Sequence, residues 1–153
     1  HIGANPPLLG FIQRPATVDR HTYQNILKYK HYSFNIIAED FFEKAHQTSA
    51  RYGIGINEFK EVGLTAMYKE KIRCPFVAES PLHIALELHE DIEIKSNKTR
   101  LIVGKVISIS SLDSLAENKF ELDFQKLKSI SISGLSDYYT LNKLKSLNYA
   151  KPK

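Results

Sequence analysis

The sequence predicts a mainly β, α+β fold: an antiparallel, Greek-key-like barrel with two helices inserted after the opening strand. Three observations support this prediction. The second half contains two long β-type segments joined by a turn. The first half contains two segments with helical spacing between short apolar runs. Strands and helices do not alternate regularly, as they would in a parallel βαβ sheet.

The first half predicts two strands and two helices. Residues 8–12 form a short apolar run after a Pro-Pro breaker, which is typical of a buried strand, and residues 32–37 alternate in a β-rich pattern. Residues 20–30 have helical spacing, and a second helix follows residue 40 with Phe41, Phe42 and Ala45 on its apolar side. Residues 57–62 predict one more helical turn, closed by Gly63.

The second half predicts a long hairpin over residues 82–95 and 99–110. Its second strand is apolar on both faces, which predicts a central position in the sheet. Its first strand alternates, which predicts one buried and one solvated face. The buried face would hold Leu82, Ile84, Leu86, Leu88, Ile92 and Ile94, and the solvated face His83, Glu87, His89, Asp91 and Glu93. A short strand is expected at residues 130–132, ended by Ser133-Gly134.

Length and composition indicate one globular domain spanning residues 1–153. The chain has 42% hydrophobic and 25% charged residues, and its single cysteine, Cys74, excludes an internal disulfide. No apolar run is long enough to span a bilayer, and no signal peptide is visible, so we expect a cytoplasmic protein without a membrane partner.

The net charge of +4 leaves two interpretations open. Interleaved Tyr and Lys residues would suit a small basic β-barrel that binds nucleic acid. The basic residues are too dispersed for the usual nucleic-acid stripe, and they fit a phosphorylated small molecule equally well. We therefore expect no nucleic-acid partner.

Several motifs occur in the order found in one known family. They are GANPPL (3–8), RHTYQNI (20–26), TSA, NEF and GLT between residues 48 and 65, AESP (78–81), IVGKV (102–106) and the segment 134–139. In this order the chain resembles the flavin reductase-like family, whose fold is the FMN-binding split β-barrel. The family normally has further strands before the Asn-Pro-Pro motif, and the sequence lacks them.

The resemblance implies a flavin cofactor, FMN or FAD, with NAD(P)H as co-substrate and a homodimer as the assembly. The leading hypothesis is an oxidoreductase that transfers hydride from NAD(P)H to the flavin. The alternative is an FMN-binding electron carrier or sensor without this activity. Because the flavin carries the chemistry, we name no catalytic side chain and no metal ligand.

Seven residues are candidate flavin ligands. Arg14, Arg20 and Thr22 lie at or just before the first predicted helix, where a phosphate would find cations, a hydroxyl and free backbone N–H groups. The resemblance places a cofactor-binding loop at Gln47, Thr48 and Ser49, and Tyr138 is a candidate for stacking on, or bonding to, a flavin across a dimer interface. The competing interpretations are solvated arginines, a hydroxyl-rich helix end and a packed tyrosine.

Overall fold

A computed structural model of the chain describes residues 1–15, 21–111 and 122–152. Its main feature is an open, five-stranded antiparallel sheet. In chain order the strands of this sheet are β1 (Gly3–Ala4), β2 (Pro7–Gln13), β3 (His31–Asn35), β6 (Leu82–Ile94) and β7 (Thr99–Ser111). Their spatial order is β1-β2-β7-β6-β3, so β7 is central, as its two apolar faces predicted.

The smaller elements lie in the connections of this sheet. Three helices occur in the described residues: α1 (His21–Tyr29), α2 (Phe42–Gln47) and α3 (Glu58–Val62). Two two-stranded sheets complete the fold: β4 (Ala66–Met67) with β5 (Phe76–Val77), and β8 (Ile130–Ser133) with β9 (Asp137–Thr140). The mainly β prediction and the helical turn closed by Gly63, whose φ is +67°, are confirmed.

The predicted alternation of β6 is wrong in its outer half, because a β-bulge interrupts the strand. Leu88 pairs with Gly104 and Glu90 pairs with Val103, so His89 is an extra residue without a partner on β7. One extra residue reverses which side chains face each side of the sheet. Ile92 is therefore 44% exposed, although the simple alternation placed it in the core.

The same prediction assigned the polar residues of β6 to solvent, and this is wrong for two of them. His83 is buried, and its Nε2 lies 2.7 Å from the carbonyl oxygen of Val77. Asp91 is half-buried and accepts a hydrogen bond from Tyr23. The polar groups of both side chains are at least partly buried, and each has a hydrogen-bond partner within the fold.

Two apolar clusters hold the helices in place. Ile26 of α1 packs into the first cluster with Tyr32, Leu86 and Ile102 of the sheet. The second cluster is centred on Ala38, Phe41 and Leu64, and Ala45 of α2 and Phe59 of α3 pack against it. The helices are thus fixed by apolar burial, which is the dominant favourable term in folding.

Several motif residues of the family resemblance make structural hydrogen bonds. Asn35, at the end of β3, likewise satisfies a backbone group, since its side-chain oxygen accepts from the backbone N–H of Val77 at 3.1 Å. The Glu79 carboxylate accepts from the backbone N–H of Thr65 at 2.9 Å, and so joins the AESP and GLT motifs. The Glu79 bond attaches the loop after α3 to the segment before β6, and the Asn35 bond attaches β5 to β3.

No helix in the described ranges is long and apolar enough to cross a membrane. Within the same ranges, no group of three His, Cys, Asp or Glu side chains could hold a metal ion.

Candidate functional site

A surface cleft of about 850 Å³ lies between the end of β2, the start of α1, the end of α2 and the β8–β9 hairpin. This volume is within the range of small-molecule sites, about 300–1,000 Å³. It is lined by Phe11, Ile12, Gln13, Arg14, His21, Thr22, Ala45, His46, Thr48, Ser49, Ala50, Arg51, Tyr52, Glu58, Ile132, Gly134, Leu135 and Tyr138. Five of the seven predicted ligands are therefore brought together by the fold.

The first wall combines a cation with a helix start. Arg14 and Thr22 are exposed and line the cleft, and Arg14 makes no ion pair with the described residues. The first turn of α1 contains no acidic side chain. Unpaired backbone N–H groups and the helix dipole at such a position favour an anion. Arg20 lies outside the described residues.

A hydrogen-bonded network fixes α1 to the sheet. The Tyr23 hydroxyl donates to Asp91 at 2.8 Å, and Arg100 Nε donates to the other oxygen of Asp91 at 2.7 Å. Burial, followed by the bond to Asp91, raises the pKa of Tyr23. The bond to Asp91 also raises the pKa of Arg100. Since Tyr23 follows Thr22 directly, the network also holds the start of α1 beside the cleft.

The second wall is the end of α2 and the loop after it. Thr48 is half-buried, and its hydroxyl donates to the carbonyl oxygen of Ala45 at 2.7 Å. The hydroxyl hydrogen of Thr48 is therefore not available to a ligand. The Ser49 side chain is exposed in the cleft. Gln47 does not line the cleft, and its amide donates instead to the hydroxyl of Tyr52, at 3.4 Å. Thr48 thus caps the end of α2, as the competing interpretation predicted, whereas the Ser49 hydroxyl has no hydrogen-bond partner within the described part of the chain.

The third wall is the β8–β9 hairpin, held to α2 by aromatic contacts. The Tyr138 ring packs against Phe42 with a centroid separation of 5.1 Å. Its hydroxyl lies 2.8 Å from Nδ1 of His46, so it is engaged within the chain. Ile132 and Leu135 add apolar surface to the same wall and are 51% and 75% exposed.

Sequence reasoning missed several residues of the cleft. Arg51 adds a second arginine and His46 a further aromatic ring, while Glu58 is the one carboxylate among the described lining residues. The spacing of His46 four residues after Phe42 placed both on one helical face, which was a usable signal. Its contact with Tyr138, 92 residues away, had no signal in the sequence.

The cleft therefore offers two arginines, free hydroxyls and a partly apolar, aromatic wall. These are the groups that a phosphate and a planar heteroaromatic ring require. A flavin mononucleotide fits this set of donors and apolar surfaces.

Comparison with known proteins agrees with this assignment. The family model described as "Flavin reductase like domain" matches residues 1–130. A proposed flavin reductase with split barrel domain from Shewanella frigidimarina NCIMB 400 is 39% identical, with a TM-score of 0.92, over 98% of this chain and 74% of that one.

Two further solved structures have the same fold. Nitrilotriacetate monooxygenase component B from Bacillus cereus is 25% identical, with a TM-score of 0.84, over 95% of this chain and 74% of that one. Flavoredoxin of Desulfovibrio vulgaris (Miyazaki F) is 21% identical, with a TM-score of 0.81, over 94% and 75%, a likeness that shows the fold alone. The chain thus has the split-barrel fold and a flavin-related function, and it belongs to the flavin reductase-like domain family.

Proposed function

We propose that the cleft binds FMN and that the protein transfers hydride from NAD(P)H to this flavin. The observation that carries the proposal is the convergence of Arg14, Thr22, Ser49 and Tyr138 on one cleft, in a chain of the flavin reductase-like family. When bound, the flavin supplies the hydride-accepting chemistry. The residues of the chain bind it, orient it and limit its exposure to water.

The two helix ends at the cleft define an orientation for the cofactor. The start of α1, with Arg14 and Thr22, favours the phosphate because N–H groups and positive charge meet there. The carbonyl oxygens at the end of α2 accept from the backbone N–H groups of residues 48–50, and the negative end of the helix dipole disfavours a dianion there. The ring therefore lies towards α2 and the hairpin, where Tyr138 and Leu135 offer aromatic and apolar surface.

A homodimer is part of the proposal, and one partly exposed apolar face of the sheet supports it. Ile12, Leu101 and Ile92 are paired directly across β2, β7 and β6, so their side chains share a face. Ile2 joins this face over Gly10, and Ile12, Ile92 and Ile2 are 54%, 44% and 48% exposed. Burial of such a patch by a second copy would stabilise the pair through the hydrophobic effect.

The test of the function is the visible absorption spectrum of the purified protein before and after anaerobic addition of NADH or NADPH. We expect a yellow protein, or one that becomes yellow with FMN, whose absorbance bleaches on addition. Bound flavin that does not bleach would favour the electron carrier or sensor. A protein that cannot be loaded with flavin would contradict the proposal.

The proposed orientation is tested by substitution of Arg14. Arg14→Ala removes a charge-assisted contact to phosphate, worth about 1.5–3 kcal/mol, so FMN affinity falls about ten- to a hundredfold. Riboflavin lacks the phosphate, so its affinity should stay within twofold. Lys28→Ala is the matched control, because Lys28 lies on α1 outside the cleft. Equal losses for FMN and riboflavin would contradict the orientation.

A further inference from the structure

The cleft contains a histidine–tyrosine pair that the sequence did not indicate. We propose that His46 donates a hydrogen bond from Nε2 to a carbonyl oxygen at the edge of the flavin ring, and that Tyr138 is the residue that positions it. This inference rests on the proposed function, because it assigns a ring-binding residue to the same cleft.

The geometry of the pair is defined by three contacts. His46 Nδ1 lies 2.8 Å from the Tyr138 hydroxyl oxygen. The two rings meet edge to face, with centroids 5.7 Å apart and planes 83° from parallel. Phe42 packs against the Tyr138 ring at 5.1 Å. The tyrosine is therefore held by packing on α2, and its hydroxyl fixes the orientation of the imidazole.

The bond to Tyr138 determines which nitrogen of His46 carries the proton. A phenol is a stronger acid than a neutral imidazole N–H, and an imidazole nitrogen is a stronger base than a phenol oxygen. Tyr138 therefore donates to Nδ1, and the ring proton of neutral His46 is at Nε2. The protonated ring also has a hydrogen at Nε2. In both charge states, Nε2 is a donor.

This donor is free to bind a ligand. His46 is exposed and lines the cleft, and Nε2 has no hydrogen-bond partner within residues 1–15, 21–111 and 122–152. The Tyr138 ring that His46 contacts packs in turn on Phe42, and His46 lies in the last turn of α2. The negative end of the α2 dipole disfavours a phosphate at this position, whereas a neutral ring carbonyl is a suitable acceptor.

The test is titration of the flavin-free protein with FMN and with riboflavin, followed by flavin fluorescence. One hydrogen bond is worth about 0.5–1.5 kcal/mol, so His46→Leu should weaken both ligands about two- to tenfold, and by the same factor. Tyr138→Phe keeps the ring packing and should give a smaller loss. His46→Gln restores a donor and should recover part of the affinity. His89→Gln and Tyr139→Phe, exposed and outside the cleft, are the matched controls.

A double variant distinguishes positioning from simple packing. Because Tyr138 acts through His46, adding Tyr138→Phe to His46→Leu should cause no further loss of flavin affinity. The absorption maxima of bound flavin should shift in both single variants. Additive losses, unchanged binding by His46→Leu, or a loss confined to FMN would overturn the inference. If the wild-type protein binds no flavin, the proposed function fails as well; if it binds and bleaches while His46→Leu binds normally, only this inference fails.

Discussion

Replacement of Tyr32 by Phe is expected to raise the free energy of unfolding, because the Tyr32 hydroxyl is buried and has no hydrogen-bond partner among the residues that the structure describes. The residue is 6% exposed and lies in the first core cluster, with its ring against Phe11 and Phe34. An unpaired buried polar group costs about 1–3 kcal/mol. Phe keeps the ring and removes the group, so we expect a gain of about 1 kcal/mol, or about 2–4 °C in Tm for a chain of this size.

The same substitution should change the dependence of stability on alkaline pH. Burial raises the pKa of Tyr32 to about 12, whereas the unfolded chain ionises near the ordinary value of about 10. A group with a raised folded-state pKa contributes its full stability below the unfolded pKa and loses it as the pH rises through the folded one. At about 1.36 kcal/mol per pKa unit, wild type should lose about 2 kcal/mol relative to Tyr32→Phe between pH 10 and 12.

The assay is urea denaturation of both proteins at pH 7 and at intervals from pH 9.5 to 12. The difference between the two proteins cancels the titration of the lysines and the other tyrosines. A Tyr32→Phe protein that is less stable at pH 7 by 1 kcal/mol or more, together with parallel curves at alkaline pH, would refute the reasoning. That result would mean that the hydroxyl has a partner in the folded protein.

Three further predictions concern the core and the α1 network. Gly104→Ala should lower the free energy of unfolding by about 1–3 kcal/mol, since the added Cβ would lie 2.9 Å from the Cβ of Leu86. The same urea assay tests this prediction, and a free energy of unfolding within about 0.5 kcal/mol of wild type would contradict it. Asp91→Asn should cost about 1–3 kcal/mol by thermal unfolding, whereas Glu93→Gln, at an exposed ion pair, should cost less than about 0.5 kcal/mol. Burial raises the pKa of the Cys74 thiol to about 11. Ellman's reagent at pH 8 should therefore label Cys74 much more slowly in the folded protein than in the urea-unfolded protein. Equal labelling rates would show an accessible thiolate and contradict the prediction.

Much of the architecture could be predicted from the sequence, because it depends on local patterns. Helical spacing predicted α1, and the two apolar faces of residues 99–110 predicted that β7 would be central, as the sheet order confirms. The glycine that ends α3 was also predictable, since its left-handed conformation is one that other residues adopt at a cost. The ordered motifs indicated the family, which the family model confirms.

The candidate site was only partly predictable, for a different reason. Arg14 and Thr22 were identified because a helix start beside a cation has a recognisable local pattern. The pairing of His46 with Tyr138, by contrast, joins elements 92 residues apart, and the inclusion of Arg51 in the cleft depends on the path of the loop after α2. No local pattern encodes either contact.

The sequence by itself determined the long strands, the helices and the family, but not the two-residue strands β1, β4 and β5. Tertiary structure alone decided which polar groups are buried, as the bulge at His89 shows: one extra residue exposed Ile92 and drew Asp91 into a network with Tyr23. The physical reason is that side-chain alternation is a property of a strand, whereas register is set by the neighbouring strand and by the packing of both faces.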